Sequence, residues 1–477
     1  MKIVQITPGA GESFYCENCL RDHALVRAMR RLGHDVTMVP LYLPPLSNDG
    51  PPDTSAAPIF FGGINVYLQQ KSALFRRTPR WLDRLLDARW LLRWAGRRTG
   101  LTDPELLGQT TISMLRGEDG RQVKELERLV EFLLQQGRAD VVVLSNAMLM
   151  GLAPRIRRAL GCGVVCLLQD EEGFLVGLGE KHQAAVWDLL RRQAACVDAF
   201  IAVSRFYADT MGGRLSLPPE RLSVVYNGID LEGYVSAPQP PVIPAIGFLS
   251  EMSQSKGLGT LVEAFVRLKR DPHHAPLRLQ FAGGHSAGDD AFLASIRRRL
   301  EKEHLADQVE FIERFDRTAK QAFLPRLSLL AVPTQRPEAS GLYLLEALAA
   351  GVPVVMPDHG SMRELVAATG GGLLHKPNNA ADLAARMDEL LRDPPKGRAM
   401  GRAGQEVVRR QFDIQTSARG MLAVYEKAAT TAADGRGTGI LPVRSTGVPP
   451  VVQGRDGPVT HGRDAHATNK SAGKETT

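Results

Sequence analysis

Short β-branched runs alternate with helical periods along most of this chain. The alternation stops once, at SAPQPPVIP (236–244), and then begins again. Before the break KIVQIT, DVTMVPLY, DVVVLS, GVVCLLQD, AFIAVS and LSVVYNGI read as strands; after it AIGFLS, LRLQFAGG, QVEFIERF, SLLAVPT and PVVMPDHG do. Helical patterns lie between them. LRDHALVRAMRRLGH puts Leu25, Ala28, Met29 and Leu32 on one face and Gly33 at the C-cap. Strand–helix–strand units at this spacing imply parallel sheets. Four prolines in nine residues make a stiff connector. The 477 residues therefore read as α/β, two Rossmann-like doubly wound domains facing a central cleft, at 1–235 and 242–410. Helix is expected over 121–137 and 379–410. From about 430 onward TGILPV is echoed by TGVPPV and GRD recurs, so 430–477 reads as a disordered low-complexity tail.

Charge separates one segment from the rest. The net charge is +7, and residues 76–98 alone carry eight Arg (76, 77, 80, 84, 89, 93, 97, 98) against Asp83 and Asp87. That insertion also holds Trp81, Trp90 and Trp94. It reads as an exposed helix packed on the body, as a peripheral contact with an anionic membrane surface, or as a binding segment for an anionic substrate or partner. No nucleic-acid motif accompanies the charge. No apolar run reaches the roughly 18–20 residues of a membrane span, and the N-terminus lacks the apolar core of a signal peptide. A cytoplasmic protein is expected, with the inner membrane face as the second reading. Five cysteines fit a reducing compartment. Cys16 and Cys19 form a single C-x-x-C with no second pair, short of a zinc site, and no bound metal is expected.

The chemistry concentrates in PEASGLYLLEALAAGVPVV. Glu338 and Glu346 flank Ser340, Gly341 and Leu342 at a helix start, where free N–H groups and the positive dipole end suit a phosphate. Glu338 can accept hydrogen bonds from sugar hydroxyls and Glu346 from a ribose. On spacing alone both can equally be helix-surface charges.

The whole run resembles the E-x7-E region of retaining family-4 glycosyltransferases of the GT-B superfamily, with their "glycosyl transferases group 1" C-terminal domain. GHDVT, VSRFYADTM, VVYNGID, GFLSEMSQSKGLGTLVEAF, LQFAGG and GSMRELV resemble further family segments in the same order over about 1–425. The resemblance implies a hexosyltransferase-type enzyme of carbohydrate biosynthesis. It would move a sugar, with retained configuration, from a UDP-, ADP- or GDP-linked donor to a carbohydrate, lipid or small-molecule acceptor. No cofactor beyond the nucleotide sugar is implied. Residues 1–235 would bind the acceptor, 242–410 the donor, and 411–428 would cross back as a helix. Gly9 and Gly11 match the N-terminal glycine loop near the donor. Lys256 matches the lysine that neutralises the pyrophosphate, Glu338 the glutamate at the donor sugar and Glu346 the ribose ligand. Ser340, Gly341 and Leu342 fall where backbone meets the phosphates, and Glu364 matches weakly.

Two positions depart from the family. The basic residue usual upstream of the lysine is absent between 247 and 255, where Glu251 stands. The first-domain strand that often ends in His ends here in Gln169 and Asp170. These departures leave a second reading, a catalytically weakened GT-B protein that binds a sugar nucleotide.

Overall fold

The computed structural model describes residues 1–8, 17–41, 60–61, 104–313 and 316–437. Six strands of the first half, β1 (Lys2–Thr7), β2 (Asp35–Pro40), β3 (Val141–Leu144), β4 (Gly163–Leu168), β5 (Ala199–Ala202) and β6 (Leu222–Val224), form a parallel sheet in the order β2-β1-β3-β4-β5-β6. Six of the second, β7 (Ala245–Leu249), β8 (Arg278–Ala282), β9 (Val309–Ile312), β10 (Leu329–Ala331), β11 (Val354–Pro357) and β12 (Gly372–His375), form another in the order β12-β11-β10-β7-β8-β9. Every pair is parallel. The inner strands β3, β4, β7, β10 and β11 are buried at every residue, because helices cover both faces and VVVL or GVVCLL has no polar face to offer water.

The covering helices of the first lobe are α1 (Glu17–Arg31), α2 (Pro104–Leu115), α3 (Val123–Gln135), α4 (Ala153–Leu160), α5 (Glu171–Val176), α6 (Glu180–Ala194) and α7 (Arg205–Leu215). Those of the second are α8 (Leu258–Leu268), α9 (Asp290–Lys302), α10 (Arg317–Phe323), α11 (Leu342–Ala349), α12 (Gly360–Thr369), α13 (Ala380–Arg392) and α14 (Pro394–Gln411). A last helix, α15 (Ile414–Gly437), returns to the first lobe. Its stripe Ile414, Ala418, Met421, Leu422, Tyr425 and Ala428 is buried against Leu25, Met29, Val143, Val165 and Ile201. That spacing is one face of a 3.6-residue period, and each large side chain in it contributes roughly 1.5–3 kcal/mol of burial.

Four boundaries differ from the sequence reading. The strand expected to run to Ile229 stops at Val224. The chain leaves the sheet there, and Ile229 pairs its N–H with Phe412 O (2.9 Å) while its carbonyl accepts from Ile414 N (2.9 Å). The chain's two crossings between lobes thus run side by side. The helix expected over 379–410 breaks at Asp393, where Pro394 cannot continue α13 and starts α14, capped by the Asp393 carboxylate on Lys396 N. α15 runs to Gly437, beyond 428 and into the stretch expected to be disordered from 430. β12, in GGGLLH, was hidden by its glycines. α2 and α5 were also unforeseen. The Arg/Trp insertion at 76–98, Gly9, Gly11, Cys16 and residues 438–477 lie outside the described residues. Among the described residues no helix is long and apolar enough to cross a membrane.

Candidate active site

In the second sheet strand order reverses between β7 and β10, and loops leaving the carboxyl ends of two such strands open a crevice where ligands bind. The loop after β7 carries Lys256 and the loop after β10 carries Glu338. They are cinched together: Gln335 N donates to Ser255 O (2.9 Å), and Gly257, at φ +80°, lies so close that a Cβ there would sit 1.8 Å from Pro333 O. The result is a direct pair, Lys256 Nζ to Glu338 Oε1 at 2.5 Å, between residues 82 positions apart. The other oxygen, Glu338 Oε2, accepts from Tyr343 OH (2.7 Å) in the first turn of α11. Behind it the start of α12 presses on the backbone. Ser361 N donates to Glu338 O (3.0 Å), and Gly360, at φ +57°, leaves no room for a Cβ against Glu338 N (2.7 Å). Glu338 is thus fixed in backbone and side chain.

Ser340 and Gly341 lead into α11, whose N-cap, Gly341, brings no capping side chain, and Leu342 is its first residue. The leading N–H groups of such a helix are free to meet an anion. Glu346 sits at the fifth position of α11 and is nine-tenths buried, not a solvated helix charge. Its Oε1 accepts from Lys320 Nζ (2.5 Å), on α10, and from Tyr234 OH (3.0 Å), on the connector between lobes.

The first lobe reaches the same place. Ala339, next to Glu338, is buried in the first lobe's core cluster; its carbonyl accepts from Ser204 Oγ (2.6 Å) and its N–H donates to the Asp170 carboxylate. Asp170 holds a left-handed backbone at φ 60°, which for a non-glycine residue costs energy and marks functional sites. Burial first, then the Glu338 charge, push its carboxyl up to about 7, while Lys256 pulls it down. Gln169 precedes it at the end of β4. Its Nε2 donates to Ser145 O, and its buried Oε1 has no hydrogen-bond partner among the described residues; nor has Asn146 Oδ1 at the end of neighbouring β3. Glu171 organises this rim from below. Its buried carboxylate accepts from Ala147 N (2.9 Å), Gln169 N (2.8 Å) and Tyr207 OH (2.6 Å), and burial raises its carboxyl against those bonds.

Two further carboxylates frame the site. Glu364, on α12, caps α7 of the other lobe, accepting from Arg205 N (3.2 Å), Phe206 N (3.2 Å) and Tyr226 OH (2.6 Å). Glu251 stands half-buried near Lys256. Burial raises its carboxyl, Lys256 lowers it and Asp289 raises it again. Among the described residues no three His, Cys, Asp or Glu side chains group as a metal ion requires.

Lys256, Glu338, Ser340, Gly341, Leu342, Gln169 and Asp170 therefore converge at the crevice, and Glu346 lies one turn along α11. Sequence reasoning missed Tyr343, Tyr234 and Lys320. Only Lys320 left a signal. In AKQAFLPRL it occupies the same helical stripe as buried Phe323 and Leu324, a place where a lysine needs a partner.

Two Rossmann-type lobes with a helix crossing back define the GT-B fold, and solved structures agree. Sucrose-phosphate synthase from Thermosynechococcus elongatus superposes with a TM-score of 0.64 at 18% identity, over 90% of this chain and 99% of that one. HepE from Anabaena, solved in complex with UDP, gives 0.59 at 17% identity, over 91% and 100%. Residues 238–407 match the family model described as glycosyl transferases group 1, and residues 110–232 match Glycosyltransferase Family 4. The D-inositol 3-phosphate glycosyltransferase of Jonesia denitrificans is 28% identical over 228 residues, 45% of this chain and 53% of that protein. The chain spans about half the length of that relative. The two lobes thus share the GT-B fold, the second resembling a group 1 glycosyl transferase domain and part of the first a Family 4 domain.

Proposed function

We propose that this chain is a retaining glycosyltransferase of the family-4 type, moving a hexosyl group from a nucleotide sugar to an acceptor hydroxyl. The observation that carries the reading is the Lys256–Glu338 pair at the switch point of the second sheet, closed over by Asp170 from the first lobe. Lys256 and the N-terminus of α11 take the donor diphosphate. As the sugar leaves, charge builds on the nucleoside diphosphate, and an ammonium with a helix N-terminus stabilises that charge where it develops. An ammonium has three donors, so Lys256 can serve Glu338 and a phosphate oxygen together. Glu338 accepts from donor-sugar hydroxyls and Glu346 from the ribose. No resident metal is required, because Lys256 supplies the countercharge. The acceptor is a carbohydrate, lipid or small molecule whose hydroxyls meet the first lobe, where the unpartnered oxygens of Gln169 and Asn146 call for donors. The base is uracil, adenine or guanine, and UDP in a structural neighbour favours testing a UDP-sugar first. A product whose anomeric configuration by proton NMR is opposite to the donor's would sink the retaining assignment.

Asp170 gives this reading a pH signature. With a folded value near 7 and an unpaired value near 3.8, its ionisation adds a negative charge beside the diphosphate as pH rises. A nucleotide sugar's diphosphate does not titrate there, so UDP-glucose binding should weaken severalfold through pH 7. Asp170→Asn should flatten that profile. The same shift stabilises the fold below about pH 4 and is lost as pH rises through 7. A wild-type binding curve already flat from pH 6 to 8 would remove Asp170 from the site.

Glu251 favours a second reading, a weakened enzyme that chiefly binds its sugar nucleotide. A half-buried carboxylate near Lys256 opposes a diphosphate wherever it is ionised. Glu251→Arg should tighten donor binding about tenfold, one charge-assisted contact being worth roughly 1.5–3 kcal/mol. Unchanged affinity would show that Glu251 points away from the phosphates.

A further inference from the structure

Lys320, the buried partner of Glu346, has no role in the reading above. Lys320 is 5% exposed, on the same stripe as Phe323 and Leu324. It meets Glu346 at 2.5 Å across 26 positions, and Tyr234 meets the same oxygen at 3.0 Å across 112. Burying two charges is costly, and an apolar residue at 320 would pack at no such cost. The carboxylate is what gains. Two donors on one oxygen fix the carboxylate's rotamer. The donors themselves are anchored. Arg317, three residues before Lys320 on α10, donates to Asp230 Oδ2 (2.9 Å) and Glu232 O (2.7 Å) of the connector. Gln321 adds a bond to Glu232 O (2.7 Å), and Arg409 of α14 donates to Tyr234 O (3.3 Å).

Resting on the reading of Glu346 as the ribose ligand, we infer that Lys320, assisted by Tyr234, is a positioning residue that holds the Glu346 carboxylate aimed for the donor's ribose hydroxyls. Among the described residues the groups that hydrogen-bond the Glu346 carboxylate are Lys320 from α10 and Tyr234 from the connector, with Arg317 and Asp230 behind Tyr234.

The test is UDP-glucose binding by calorimetry on the full chain, with thermal melting to confirm folding. Lys320→Met should weaken binding about tenfold or more. Lys320→Arg, which keeps a donor for the carboxylate, should stay within about threefold of wild type. Tyr234→Phe should cost severalfold, and it tests the device even if Lys320→Met fails to fold. Glu346→Gln separates the two ideas. If it weakens binding while a folded Lys320→Met, or Tyr234→Phe in its place, binds as wild type, the positioning role is overturned and the ribose reading stands. If Glu346→Gln itself changes nothing, both fall.

Discussion

Lys256→Met lowers kcat by about 10²–10³-fold in the account given above, the cost typical of removing one preorganised group from a site of developing charge. The residue is held for that task. Its neighbour Gly257 closes the loop onto Pro333, and its ammonium lies 2.5 Å from Glu338, so a methionine leaves the loops in place and removes only the charge. Two consequences separate this from general damage. The loss falls on kcat more than on donor KM, because the diphosphate carries more charge on leaving than on binding. Lys256→Arg, which keeps the charge in a different shape, recovers part of it. Glu338→Gln should fall with Lys256→Met, and the double variant should be little worse than either single one, since the two residues act as a unit. Steady-state release of nucleoside diphosphate measures all four. A Lys256→Met enzyme within threefold of wild type would show that the leaving group is stabilised elsewhere.

The largest effect on stability belongs to a residue that touches no substrate. Glu171→Leu removes the acceptor of three buried donors, Ala147 N, Gln169 N and Tyr207 OH. Each stranded donor costs about 1–3 kcal/mol. The total is roughly 3–9 kcal/mol, and at about 2–4 °C per kcal/mol the melting temperature should drop by about 6 °C or more. Glu171→Gln keeps one acceptor oxygen and should lose less than half of that. Activity should suffer as well, because Glu171 ties the ends of β3 and β4 together directly beneath Gln169 and Asp170. A Glu171→Leu protein that melts with wild type would mean that the three donors find new partners when the carboxylate is gone.

How far the sequence led depended on the range of each interaction. Strand and helix periods are local, so the two parallel sheets and the break at 236–244 were legible. Lys256, Glu338 and Glu346 were legible for another reason, because motifs in fixed order mark them. What they touch was not. Tyr234 and Glu346 stand 112 residues apart, and nothing in GYVSAP announces a buried phenol. Glu171 follows Gln169 and Asp170 in plain view, yet its importance comes from Ala147 and Tyr207, which only the sheet brings near. The short strand at 222 failed for the opposite reason. LSVVYNGI has the composition of a strand throughout, but its second half finds its partners at Phe412 and Ile414, outside the sheet. Glu251 and Gln169 were visible as departures. The structure adds that Glu251 is half-buried beside Lys256, and that Gln169 spends one amide hydrogen on Ser145 while its oxygen has no partner among the described residues.

One measurement bears most directly on the central assignment of Lys256 and Glu338 as the catalytic pair. It is release of nucleoside diphosphate from a panel of UDP-, ADP- and GDP-sugars, without acceptor and then with simple glycans, for wild type beside Glu338→Ala. Release from one donor, accelerated by an acceptor and lost in Glu338→Ala, is the expected result. Release that survives Glu338→Ala unchanged, or saturable binding of a sugar nucleotide with no release from any donor, would contradict it.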